Sequence, residues 1–167
     1  HTTEGIILKK IGVGEADALY VIYTKDFGKI RALAQGVKKE GAKLKGHLEL
    51  LSQSMVGFVL GKNGERLTQA RLINFWPALR QDSDKLRTAR QIVELIDQNC
   101  LEGEKDGPLW KLLLASLIFL DKNNPTEKDL DLYQEEFVKK LSVCLGYGSS
   151  VGDLKRANPN ILVTGNW

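Results

Sequence analysis

The chain reads as an α+β protein, a small β-barrel of five strands followed by an all-α part, and three observations lead there. Hydrophobic periodicity is strand-like up to about residue 80 and helical from Asp82 onward. Glycines and an Asn-Gly pair punctuate the first part at short intervals, as tight turns between strands require. Charge divides at the same place: residues 1–80 hold 13 Lys and Arg against 7 Asp and Glu, whereas the remainder holds 11 against 14.

In chain order, Thr3 to Lys9 (TEGIILK) is a short strand with an apolar centre, interrupted by a loop from Ile11 to Asp17 that contains Gly12 and Gly14. Ala18 to Thr24 (ALYVIYT) is the strongest strand signal, rich in β-branched and aromatic residues with no breaker. Asp26-Phe27-Gly28 is a tight turn, and Lys29 to Ala34 forms the third strand. A long fourth strand is expected from His47 to Leu60, with Gly57 marking a bulge or bend. Asn63-Gly64 signals a type I′ hairpin, and the fifth strand runs from Arg66 to about Phe75, where Pro77 stops it. Five twisted antiparallel strands in roughly 75 residues suit a closed barrel, first of all an OB-fold, with an SH3-like barrel or an open meander as alternatives.

From Asp82 the apolar positions step by three and four. Leu86, Ala89, Val93, Ile96 and Cys100 form one stripe, with Ser83 or Asp84 able to cap its start. Gly103 and Gly107-Pro108 break it, and Leu109, Leu112, Leu113, Leu117 and Leu120 form a second. Thr126 caps a third helix, Asp129 completes a capping box, and the stripe runs through Leu130, Tyr133, Phe137, Leu141 and Leu145 to Gly146 and Gly148. Three antiparallel helices are expected, then a weakly patterned tail in which Ile161-Leu162-Val163 could form one strand. The expected domains are residues 1–80 and 81–167.

Hydrophobic residues make up 43% and charged residues 27% of the 167 positions, which is ordinary for a soluble globular protein. No apolar run approaches the roughly 18 residues of a membrane span, and no signal-peptide pattern opens the chain. Cys100 and Cys144 fall on apolar helix faces and read as buried thiols, which makes the cell interior the expected compartment. Two distant cysteines make neither a disulfide framework nor a zinc site, so no cofactor or metal is expected. No nucleophile-elbow, zincin or P-loop motif occurs, and Glu15 and Asp17 read as turn-formers before they read as catalytic carboxylates. A binding protein without catalytic residues is the better class.

What it binds is written between Gly28 and Leu51 (GKIRALAQGVKKEGAKLKGHLELL). Past Gly36 this segment carries Lys38, Lys39, Lys43 and Lys45 against Glu40 alone, and it returns to apolar residues at Leu48, Leu50 and Leu51. Phosphate is the ligand such a surface suits, although a merely solvated loop would have the same composition. In an extended segment Lys43 and Lys45 would share one side, opposite Leu44; Lys29 and Arg31 would add charge from the third strand. Tyr20, Tyr23 and Phe27 are the aromatics available for base stacking, with the opposite parity of the two tyrosines allowing at most one to face solvent.

The order of EGIILKK, then GEADALYVIYTKDFGKIRALAQGVKKEGAKLKGHLELL, then GERLTQARLI resembles the N-terminal part of the bacterial recombination-mediator and DNA-repair RecO family. The matching positions are Glu15 and Asp17, Thr24 to Lys29, Gln35-Gly36-Val37-Lys38 and Leu44-Lys45-Gly46; the later FVKKLSVCLGYG resembles that family's helix ending in Leu-Gly-Tyr. The resemblance implies an OB-fold and a helical domain in a bacterial cytoplasmic, nucleoid-associated protein. It further implies binding to single- and double-stranded DNA, strand annealing, and recombinase loading with RecR, RecF and single-strand-binding protein. The basic loop, Lys38, Lys39, Lys43 and Lys45, would make the DNA contacts. Many members carry a four-cysteine zinc motif after Leu-Gly-Tyr, where this chain has Gly148-Ser149-Ser150. The chain also ends sooner than most members, so a reduced homologue or a missing C-terminal part is expected. Alternative readings are an OB-fold module for RNA or tRNA and a protein-interaction adaptor whose basic loop docks an acidic tail, since lysine contacts to phosphate carry no sugar information.

Overall fold

The computed structural model describes residues 1–148 together with Gly152 and Arg156. The chain forms two compact units: His1–Phe75 with Leu101–Lys105, and Trp76–Cys100 with the residues from Asp106 onward.

The first unit is a closed barrel of β1 (Thr2–Val13), β2 (Asp17–Thr24), β3 (Gly28–Ala34), β4 (Gln53–Gly61) and β5 (Gly64–Asn74), in the order β1-β2-β3-β5-β4. All neighbours are antiparallel except β3 and β5, which meet in parallel at Ala32–Glu65 and Leu33–Arg66. This is the OB-fold, and the barrel interior is filled by Ile7, Tyr20, Ile22, Ile30, Val56 and Phe58, all buried. The hairpin of β1 and β2 runs further than Lys9, because Ile11, Gly12 and Val13 pair with Leu19, Ala18 and Asp17. Its side chains there are exposed, so backbone pairing rather than apolar alternation extends the strand.

The fourth strand begins at Gln53 instead of His47. Residues 47–52 turn, with Leu51 at φ 70° and the Ser52 N–H donating to Glu49 O at 3.1 Å, so Leu48 and Leu51 reach the interior from a loop. Gly57 does mark a bulge: the register against β5 shifts between Gly57 and Phe58, and a Cβ at Gly57 would strike the Gln69 side chain. At the next hairpin only Gly64 takes positive φ (109°), with Lys62 and Asn63 as the loop, so the type I′ turn is not formed. Gly28, at φ 66°, is required for a second reason, since a Cβ there would strike the backbone of Glu104. That contact belongs to the segment Leu101–Lys105, whose Gly103 N–H donates to Lys29 O at 2.9 Å and whose Glu102 bridges Lys29 in parallel.

The second unit contains α1 (Pro77–Gln81), α2 (Ser83–Asn99), α3 (Gly107–Lys122) and α4 (Glu127–Cys144), one helix more than the periodicity shows. Asp82, rather than Ser83 or Asp84, caps α2 by accepting from the Asp84 and Lys85 amides. Asp106 caps α3, and the Thr126–Asp129 capping box closes α4 reciprocally, at 3.2 and 2.9 Å. The Thr126 backbone and hydroxyl bonds hold the Asp129 carboxyl below the usual carboxylate range. Leu79, Ile92, Ile96, Leu113, Leu117, Phe137 and Leu141 form the buried faces of the helices. No helix among the described residues is long and apolar enough to cross a membrane. The strand expected at Ile161–Val163 lies outside the described residues.

Five residues are too few for α1 to stand by itself. Its first amides are satisfied from α3: Asp121, 6% exposed, accepts from Ala78 N–H at 3.0 Å and Leu79 N–H at 3.1 Å. Asp121→Ala is expected to destabilise the protein by about 2 to 3 kcal/mol, since two amides lose a charged acceptor. Urea denaturation followed by circular dichroism checks it; a loss within error of zero would mean that water replaces the carboxylate.

Candidate nucleic-acid interface

Where β3 ends, the chain is caught by the turn between β1 and β2. Asp17 Oδ1 accepts from the Gly36 N–H at 2.7 Å, the Ala16 carbonyl accepts from the Lys38 N–H at 2.9 Å, and the Lys38 ammonium donates to Gly14 O at 3.0 Å. Asp17 is therefore a positioning residue for the basic segment. The segment then coils through successive turns, with N–H to O=C bonds from Lys39 to Gly36, Ala42 to Lys39, Lys45 to Ala42 and His47 to Leu44. It is not the extended strip expected from the sequence. Val37, Leu44 and Leu48 pack inward against the barrel core, which leaves Lys38, Lys39, Lys43 and Lys45 exposed. His47 Nδ1 accepts from the Leu72 N–H at 3.2 Å and so pins the far end of the segment to β5.

The strand residues fare differently. Arg31 is exposed, and its Nε lies 2.7 Å from a Glu102 carboxylate oxygen. Lys29 is only 6% exposed and offers no open ammonium to a ligand, so it leaves the set of surface contacts. Tyr20 and Tyr23 are both 1% exposed, correcting the expectation that one could face solvent: Tyr20 lies in the barrel core, and the opposite face of β2 is buried at Tyr23 too. Phe27 packs beneath its turn, with ring centroids 4.9 Å from His1 and 5.4 Å from Phe58. No stacking platform is built from these three aromatics.

Lys10 is the residue that sequence reasoning missed. It stands opposite Tyr20 in the β1–β2 ladder, with its ammonium 5.8 Å from the Tyr20 ring centre. Together with Lys38 and Lys45 it lines a cavity of about 230 Å³ whose other walls include Tyr20, Leu48 and Glu49. The pair Lys9-Lys10 was visible at the end of an apolar run, but nothing local connects it to a loop nearly 30 residues away.

In the helical unit, a groove of about 630 Å³ runs between α3 and α4. Pro108, Leu112, Ala115 and Val143 give it an apolar lining, and Lys111, Lys139 and Lys140 line it with charge. Glu136 pairs with Lys139 at 3.2 Å. Cys144 also lines this groove, its thiol pushed up by burial and then by the charge of Asp106. Among the described residues no three His, Cys, Asp or Glu side chains gather as metal ligands, and with two cysteines in the whole chain the residues present do not fit a four-cysteine zinc site.

Fold and site together define an OB-fold domain with a lysine-rich flank, followed by helices. Residues 1–76 match the family model described as recombination protein O N terminal. The chain is 34% identical over 117 residues to a DNA repair protein RecO of Gloeobacter violaceus, covering 70% of this chain and 45% of that protein. It is 28% identical over 152 residues to the RecO of Geobacter metallireducens, covering 90% of this chain and 62% of the relative. A third, from Trichodesmium erythraeum, is 35% identical over 113 residues, covering 68% and 39%. The first 76 residues are thus similar to the RecO N-terminal family, and the likeness to RecO proteins extends over most of the chain. The chain spans between 39% and 62% of the length of these three relatives.

The Asp17 clasp has a testable consequence. Asp17→Ala is expected to cost about 1 to 2 kcal/mol, as a charge-assisted bond to a half-buried amide is lost. Hydrogen exchange should accelerate at Gly36 and Lys38 more than at β2 amides such as Ile22. Uniform acceleration across the barrel would show that Asp17 supports the whole fold instead of the loop.

Proposed function

We propose that this chain is a DNA-binding protein of recombinational repair that acts by holding strands, with no catalytic residue of its own. One observation carries the reading. Four lysines of a single connection stand exposed on the flank of an OB barrel, and a fifth from β1 joins them, in a chain similar to proteins named for DNA repair. An ammonium array held on a rigid barrel neutralises a phosphate backbone without reading bases, which suits strand annealing and recombinase loading. Arg31 extends the track only when its pairing with Glu102 is exchanged for phosphate. DNA is favoured over RNA by the names of the relatives, because the lysines themselves carry no preference.

Replacing Lys38, Lys39, Lys43 and Lys45 together by Ala is expected to weaken binding of labelled single strands. The salt slope should flatten by about 0.7 for each lysine that contacts a phosphate. The barrel should stay folded, since all four side chains are exposed. Unchanged affinity and slope in the quadruple variant would remove the segment from the interface, and tighter binding of RNA than DNA would move the protein to the RNA-binding class.

The helical unit is assigned to protein contacts. Glu127, Asp129, Asp131, Glu135 and Glu136 make the region around α4 repel a polyanion, yet the groove between α3 and α4 gathers Lys111, Lys139 and Lys140 beside apolar side chains. That combination suits an acidic tail ending in an apolar side chain, the kind of contact through which RecR, RecF or single-strand-binding protein would be recruited. Lys111→Glu with Lys140→Glu is expected to abolish capture of such a peptide while leaving single-strand affinity within about twofold. Equal peptide affinity in this double variant would exclude the groove.

A further inference from the structure

The cavity between β1 and the basic segment differs from the rest of the lysine surface, because it is a concavity with a charge excess inside it. Lys10, Lys38 and Lys45 line it together with Glu49, a formal excess of two positive charges in residues that surround Tyr20. At about 230 Å³ it is smaller than the pockets that enclose drug-sized molecules, and at roughly 30 Å³ per water it holds a small group with part of its hydration. One of the ammonium groups is placed in advance: Lys38 is tied by backbone to Ala16 and by side chain to Gly14, and its ammonium lies where a Cβ on Gly12 would meet it at 2.8 Å. Burial, and then the Glu49 charge, push the Tyr20 phenol above its usual range.

An internal phosphodiester carries one negative charge and is flanked by sugars on both sides. A terminal phosphomonoester carries about 1.5 to 2 charges near pH 7, has three free oxygens, and projects from one side only. The formal excess of two positive charges and the small volume of the concavity match the second group better than the first. Resting on the DNA-binding reading above, we propose that the cavity lined by Lys10, Lys38 and Lys45 seats the terminal phosphate of a DNA strand, so that the domain prefers phosphorylated strand ends to continuous strand.

Fluorescence anisotropy with short single strands bearing a 5′-phosphate, a 3′-phosphate or only hydroxyl ends tests this. One of the phosphorylated strands should bind about fivefold tighter than the hydroxyl-ended strand near 0.1 M salt, and its salt slope should be steeper by about 0.7, the effect of one added ionic contact. Lys10→Ala should bring that ratio to one. Lys39→Ala, which alters a lysine outside the cavity, should weaken all strands alike and preserve the ratio. A circular strand should compete no better than a hydroxyl-ended linear one. Equal affinity for all ends with binding retained would overturn the terminal seat and leave the DNA-binding reading standing, whereas no binding to any strand would overturn both. A ratio that survives Lys10→Ala would place any end preference elsewhere. If inorganic phosphate or a mononucleotide displaces the phosphorylated strand at stoichiometric concentration, the cavity belongs to a small phosphate ligand and the proposal fails.

Discussion

One strand closes the barrel, and the first unit depends on it. β1 pairs with β4 through Thr2–Ile6 and with β2 through Gly5–Val13, so it serves two neighbours along a single course. The register against β2 shifts between Ile7 and Lys9, the kind of irregularity that lets a barrel strand bend where it passes from one neighbour to the other. Gly5 pairs with both Thr24 and Ser54, and a Cβ there would meet the Ile22 side chain at 2.5 Å. The bend also sets the end of the basic segment: Ile7 N–H donates to Ser52 O at 3.1 Å, and Ile7 O accepts from Leu51 N–H at 2.9 Å. Closure encloses Tyr20 and Phe58 in one core.

The position of the charged surface follows from that closure. The connection from β3 to β4 is tied at its start to the β1–β2 turn through Asp17 and Ala16, and at its end to β1 and β5 through Ile7 and His47. Between the ties, apolar Val37, Leu44 and Leu48 turn inward, and the lysines turn outward because an unpaired buried ammonium is costly. The same ties bring the segment beside Lys10, so the electropositive cavity is a product of barrel closure rather than of any one loop.

The helical unit meets a different constraint, the satisfaction of helix ends. Carboxylates or hydroxyls supply the N-terminal acceptors for α2, α3 and α4 from adjacent residues, and for α1 the acceptor comes from Asp121, more than 40 residues on. Acidic residues gathered at these starts complement the helix dipoles and give this part of the chain its negative balance. Lys111, Lys139 and Lys140 of the α3–α4 groove stand out against that balance.

Local chemistry by itself determined much of this protein. The β-branched and aromatic run ALYVIYT, the turn at Gly28, the Gly57 bulge and the Thr126–Asp129 box each depend on residues a few positions apart, and each is present as written. The exposure of the four loop lysines was legible for the same reason, since charge set among Val37, Leu44 and Leu48 has one way to face. What only the tertiary structure decided are the features that join distant segments. β1 continues past Lys9 because β2 supplies its partners, and β4 starts late because residues 47–52 turn to fill the barrel end. Tyr20 and Tyr23 are both buried although their parity leaves one of them able to face solvent, Lys29 is buried at the start of β3, and α1 exists through an acceptor on α3. Lys10 joins Lys38 and Lys45 through β1–β2 pairing and the tie to Ala16. Periodicity reports which residues share a face of one element, whereas burial and charge clustering depend on what other elements bring against that face, and that is set only when the chain closes on itself.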